Sequence, residues 1–282
     1  MTPLRLEDIT LFCEDRARGR SQKILEAALQ ELRGDLPIAT SVVPIGVSSK
    51  NDVQVQTKFA RQQTYRAFSL RDRDFLQRAQ LDDYRRHAFH RDHTHVRPWP
   101  LARHSIESYL LDDDVLGAAV PTVEVTVLRG IVDEAAAARC WLDAARGTVD
   151  DLDWRLRQIG RQPIDEAGVG DREAALDAVR RAAQIRLSSL AEAGADDRLA
   201  EKLDALALDM KSDGPLRHRV DGRELVVAVE RALSLSYAGE LPAGGLLSAL
   251  DRKARERPPA ALLADLRAAL ERMPPSWQSA DA

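Results

Sequence analysis

The sequence predicts an α/β fold, a parallel sheet flanked by helices over residues 1–120, followed by a mostly helical region over 121–282. Two observations predict it. In the first third, short apolar runs alternate with single amphipathic helices, the pattern of βαβ units and a parallel sheet. From Pro121 onward the strand signals cease and 3.6-residue periodicity takes over.

"ITLFCED" (9–15) is a short apolar run that stops at two acids and reads as the first strand. "SQKILEAALQELRG" (21–34) carries Ile24, Leu25, Ala28, Leu29 and Leu32 on one helical face, with Gly34 as a stop signal. "PIATSVVPIGV" (37–47) is rich in β-branched residues and reads as the second strand, and Ser49 or Asn51 can cap the helix that follows. "YRAFSL" (65–70) is the third strand. Residues 77–104 read as irregular, with a short fourth strand around His95 to Arg97. "SIESYLLDDDVLGAAV" (105–120) reads as helix broken near three aspartates, Asp112 to Asp114, which suit a helix cap facing water. The segment from Val123 to Gly160 reads as one long helix or two shorter ones, and further helices follow, separated by "GVGD", "KSDGP", "AGELPAGG" and "RPP".

Composition narrows the function classes. No stretch approaches the roughly 20 apolar residues of a membrane span. The first residues, "MTPLRLEDIT", lack a charged-then-apolar signal pattern, which predicts a cytoplasmic protein with no membrane partner. Cys13 and Cys140 form neither a disulfide framework nor a zinc cluster. The net charge of −4 is uneven: residues 1–110 hold 18 Lys+Arg against 14 Asp+Glu (+4), and 111–282 hold 23 against 31 (−8). The first third therefore admits a nucleic-acid partner. A P-loop signature, G-x-S-x-G and H-E-x-x-H are all absent.

In an open parallel sheet, functional groups gather at the carboxyl ends of the strands. Glu14 and Asp15 follow the first strand, and Asp72 and Asp74 follow the third. Two carboxylates about 4 Å apart repel by about 4 kcal/mol at an effective dielectric of 20, a cost that a hard divalent cation removes. These acids predict a Mg²⁺ site. A D-x-D in a polar loop is common by itself; it gains weight from the strand order and from Glu14. "HAFHRDHTHVRPW" holds His87, His90, His93 and His95, but its spacing matches no standard zinc motif and it reads as a basic loop.

An acid ending the first strand, then helix, strand, helix and a D-x-D after the third strand, resembles the TOPRIM pattern of topoisomerases, primases and overcoming-lysogenization-defect nucleases. The nearer resemblance is to a TOPRIM-like family that includes the effector subunit of PARIS-type anti-phage systems. "VVPIGVSSKNDV", "HSIESYLLDDDVL" and "VDGRELVVAV" are similar to further stretches of those relatives. The sequence departs from the pattern where Glu14 is followed by Asp15 rather than glycine, and where "GVSSK" replaces a double glycine.

The resemblance implies a metal-dependent nuclease of DNA or RNA, a defence effector working with a separate ATPase. Glu14, Asp72, Asp74 and Glu107 would bind Mg²⁺, with Mn²⁺ as a substitute, and one or two metals would polarise the phosphate and activate water. Glu14, Asp72, Asp74 and Lys50 would be catalytic, and Arg71, Arg73 and Arg103 would face the substrate phosphates. Glu107 equally suits the first turn of a helix. Among Tyr65, Tyr84, Tyr109 and Tyr237 none is marked as a nucleophile. The alternative expectation is an inactive TOPRIM-like module that binds an ATPase. The helical half leaves room for self-association.

Overall fold

Strand β1 (Ile9–Glu14) sets the two faces of the sheet through its alternation. Ile9, Leu11 and Cys13 enter the main core, whereas Phe12 points the other way into a small cluster with Val53 and Ala67. The computed structural model describes residues 8–15, 18–63, 66–89, 97–155, 170–187 and 195–278. β1 pairs in parallel with β2 (Val42–Val47) on one side and β3 (Ala67–Arg71) on the other. β4 (Trp99–Pro100) adds in parallel to β3, giving the order β2-β1-β3-β4.

Helix α1 (Arg20–Leu32) crosses from β1 to β2, and α2 (Lys50–Gln62) returns from β2 to β3. Right-handed crossovers running in opposite directions place their helices on opposite faces. Accordingly, α1 buries Ile24, Leu25, Ala28, Leu29 and Leu32 in the main core, and Val53 of α2 joins the smaller cluster. Ser49 caps α2 by accepting from the Asp52 amide at 3.2 Å.

The succession of strands and helices in this part is as read from the sequence, with three local differences. Pro37–Thr40 is a 3₁₀ turn, and β2 begins at Val42. Proline lacks the amide that a ladder needs and suits the first position of a helical turn. The stretch read as irregular contains α3 (Arg78–His87), a strongly charged helix with one buried residue, Leu81, and so no apolar stripe to read. Capping supports it instead, the Gln80 side chain accepting from the Gln77 amide at 2.9 Å. The fourth strand lies at Trp99–Pro100, beyond Arg97, while His90, His93 and His95 fall outside the described residues.

The helical part comprises α4 (Glu107–Leu110), α5 (Asp113–Ala119), α6 (Val125–Arg155), α7 (Arg172–Leu187), α8 (Ala195–Ser212), α9 (Gly222–Ser236), α10 (Leu246–Glu256), α11 (Ala260–Glu271) and α12 (Pro275–Gln278). Helices α7, α8 and α9 pack on α6, while α10 and α11 return to cover α1. Buried residues from Ile9 to Met273 consequently form one continuous core across the change of class near residue 120. Among the described residues no helix is long and apolar enough to cross a membrane.

Candidate functional site

From β1 the chain crosses to β2 on one side and then, through α2, to β3 on the other side of β1, so the sheet has its topological switch point between the carboxyl ends of β1 and β3. Ligand crevices of open α/β sheets form at such points. Glu14 ends β1 and Asp72 directly follows β3, on neighbouring strands in register from Thr10–Ala67 to Phe12–Ser69. Asp72 also lies close enough to β1 to act on Cys13, the residue before Glu14. The Cys13 thiol is pushed up to about 12, first by burial and then by the fields of Asp15, Asp72 and Glu26.

The other acids have more specific neighbours. The Asp15 carboxylate accepts from the Gln22 amide at 3.1 Å, capping the first turn of α1 where the helix dipole favours a negative charge. Gln22 extends this link: its side-chain oxygen accepts from the Gly46 amide of β2 at 3.1 Å and its Nε2 donates to Glu26 at 2.9 Å. Asp74 adopts a left-handed backbone (φ 49°), with its amide donating to the His104 carbonyl at 3.0 Å. Its carboxylate takes a hydrogen bond from Arg71 at 3.2 Å. Glu107 opens α4 and lies 3.9 Å from Arg20, the first residue of α1.

Three sequence-predicted roles change here. Arg71 bonds Asp74 and the Asp72 carbonyl and stacks over Tyr84 at 5.4 Å, so its guanidinium is held within the loop. Arg73 is buried, donating to Asp213, to the Leu76 carbonyl at 3.0 Å and to the Ala102 carbonyl at 2.9 Å. Arg103 is also buried, forking onto Asp112 at 2.6 and 3.1 Å and stacking over Tyr109 at 4.7 Å. Arg73 and Arg103 therefore do not face a phosphate at the acid site. Asp112, expected to face water, is the partner of Arg103, and burial raises its pKa against that attraction. The Lys50 side chain and Tyr65 lie outside what is described.

Carboxylate oxygens are the right donors for Mg²⁺. Yet among the described residues no three His, Cys, Asp or Glu side chains are grouped to hold a metal ion. Two of the four expected ligands, Asp74 and Glu107, face arginines instead. The sequence reading missed Arg20 and Gln22, which join the acids only once α1 is docked. Their sole sequence signal was their place directly after the acidic strand end. No family model, curated protein or solved structure matches this chain.

Proposed function

We propose that the chain is a metal-dependent nuclease of TOPRIM type, hydrolysing phosphodiester bonds of DNA or RNA as a defence effector alongside a separate ATPase. One observation carries this reading: Glu14 at the end of β1 and Asp72 directly after β3 stand at the carboxyl ends of neighbouring parallel strands, at the switch point of the sheet. Glu14 and Asp72 are the carboxylates that would hold Mg²⁺. Asp74 and Glu107 would join by exchanging Arg71 and Arg20 for the cation, a substitution of one positive charge by another. Lys50 remains a candidate for charge neutralisation at the start of α2.

The ion pairs of Asp74 and Glu107 favour a second reading, an inactive TOPRIM-like module whose helices bind an ATPase. Calorimetric titration of Mn²⁺ and Mg²⁺ into wild type, Glu14→Gln and Asp72→Asn separates the two. The nuclease reading expects saturable binding in wild type that weakens by about tenfold or more in both variants, the effect of removing one charged ligand. Absence of binding, or binding indifferent to both substitutions, would leave the module reading in place. No substrate or activating partner is required.

A further inference from the structure

The loop that carries the acids also forms part of a second concave feature. A cavity of about 310 Å³ opens between α3, the end of β4 and the segment before α9. That volume is at the small end of ligand pockets, roughly 300–1,000 Å³. Its wall contains Arg73, Arg78, Arg85, Arg103 and Arg219 together with His218, and only two carboxylates, Asp82 and Asp213.

These guanidinium groups are fixed in place. Asp213 receives hydrogen bonds from Arg73, from Arg78 at 3.2 Å and from Arg219 at 2.9 Å. Arg219 reaches Asp209 at 2.8 Å, Arg85 reaches Asp265 at 2.9 Å, and Arg103 grips Asp112. Asp209, Asp265 and Asp112 are not in the cavity wall. They hold the arginines from outside it, so the wall itself stays positive although the wider network is balanced.

Donor capacity is left over. Each guanidinium has five N–H groups in a planar fork that matches an oxyanion. Arg219 is 1% exposed, and its Nε–H is buried with no hydrogen-bond partner. The Nε2 of His218 is likewise buried and unpartnered. Leaving such groups dry and unpaired costs about 1–3 kcal/mol each and adds to the positive character behind the wall, while Arg78 (69% exposed) and Arg85 (23% exposed) are the guanidinium groups an acceptor can reach. The local field has the matching sign. His218 is held down to about 3 by burial and then by Arg103 and Arg217, and Arg73 is lowered by burial and then by Arg219.

We propose that this cavity is an oxyanion site taking a phosphoryl group, with Arg78 and Arg85 supplying accessible donors and the buried Arg73, Arg103 and Arg219 behind them supplying positive field. It needs no metal, and it stands whether or not the acids bind one. The phosphoryl group has two possible sources, a free phosphate compound and a nucleic-acid backbone, with the same chemistry.

The test titrates inorganic pyrophosphate into the full chain in the presence of a chelator, which silences any metal site. Arg78 has a side chain 69% exposed, so Arg78→Glu keeps the fold, and Arg172→Ala, at a distant exposed ion pair, is the control. Saturable binding is expected in wild type and in Arg172→Ala, weakened at least about tenfold in Arg78→Glu, as loss of a charge-assisted hydrogen bond requires. The His218 ring resonances should titrate at higher pH once pyrophosphate is bound. Displacement by a short single-stranded oligonucleotide would assign the site to a backbone, and its failure to compete would assign it to a free phosphate compound. No saturable binding of pyrophosphate or oligonucleotide, equal affinity in Arg78→Glu, or an unmoved His218 would overturn the proposal. A failed metal titration with intact pyrophosphate binding would sink only the nuclease reading.

Discussion

Asp265 lies on α11, far along the chain from the sheet, yet its carboxylate holds the end of β4. It accepts from the Ala102 amide at 2.6 Å, from Arg85 at 2.9 Å and from the Tyr109 hydroxyl. Tyr109 is pushed well above its usual range by burial and then by this carboxylate, so it stays a neutral donor. Asp265→Ala would strand a partly buried guanidinium, a partly buried amide and the buried Tyr109 hydroxyl, and a loss of about 3 kcal/mol in urea unfolding is expected. Asp265→Asn keeps the shape and should lose less. A loss under about 1 kcal/mol would mean that solvent screens the bridge. At this scale the acids at strand ends were legible from the sequence, because chain order alone puts Glu14 and Asp72 at one edge. The fates of Arg73 and Arg103 were not, because a guanidinium in a loop looks the same whether it meets solvent or a carboxylate such as Asp213, 140 residues away.

Among the elements, α4 and α9 show why two quoted stretches belong together. "HSIESYL" ends in α4 and "VDGREL" opens α9, and Gly222 lies against the Ser108 amide and hydroxyl. A Cβ at Gly222 would overlap backbone, which cannot swing aside. Gly222→Ala is therefore expected to cost about 1–3 kcal/mol, the range for overpacking, read as a lower unfolding midpoint with unchanged slope. A neutral result would mean that α9 can slide on α4. Periodicity made α1 and α9 legible, since both carry apolar stripes. It failed for α3, whose buried stripe is a single leucine and whose stability rests on capping and on contacts made after folding.

For the molecule as a whole, the change from α/β to helical character near residue 120 does not coincide with a break in the core. Helices α10 and α11 cover the outer side of α1, burying Leu246, Leu250, Leu262 and Leu266 with it. Residues 1–120 expressed alone would expose that face. They are expected to give a poorly dispersed amide spectrum and to bind a hydrophobic dye, as collapsed chains without fixed packing do. A well-dispersed spectrum would show that the α/β part folds independently. The three-way contact of Asp265 with β4, α3 and α4 points the same way, since it ties the chain's last third into its first.

The sequence alone determined the class and order of elements: strand, helix, strand, helix, strand, with acids at two strand ends and helices afterwards. Those features follow from local periodicity and from the rule that parallel neighbours need crossovers, both of which depend on residues a few positions apart. Only the tertiary structure decided which acids face arginines, which arginines are spent on carboxylates, and where a positive cavity remains. Asp209, Asp213 and Asp265 select the arginines they hold through contacts spanning up to 180 residues. Burial then makes those choices binding, because a guanidinium out of water must face a carboxylate or a carbonyl, and which of them lies within reach is set by packing rather than by spacing.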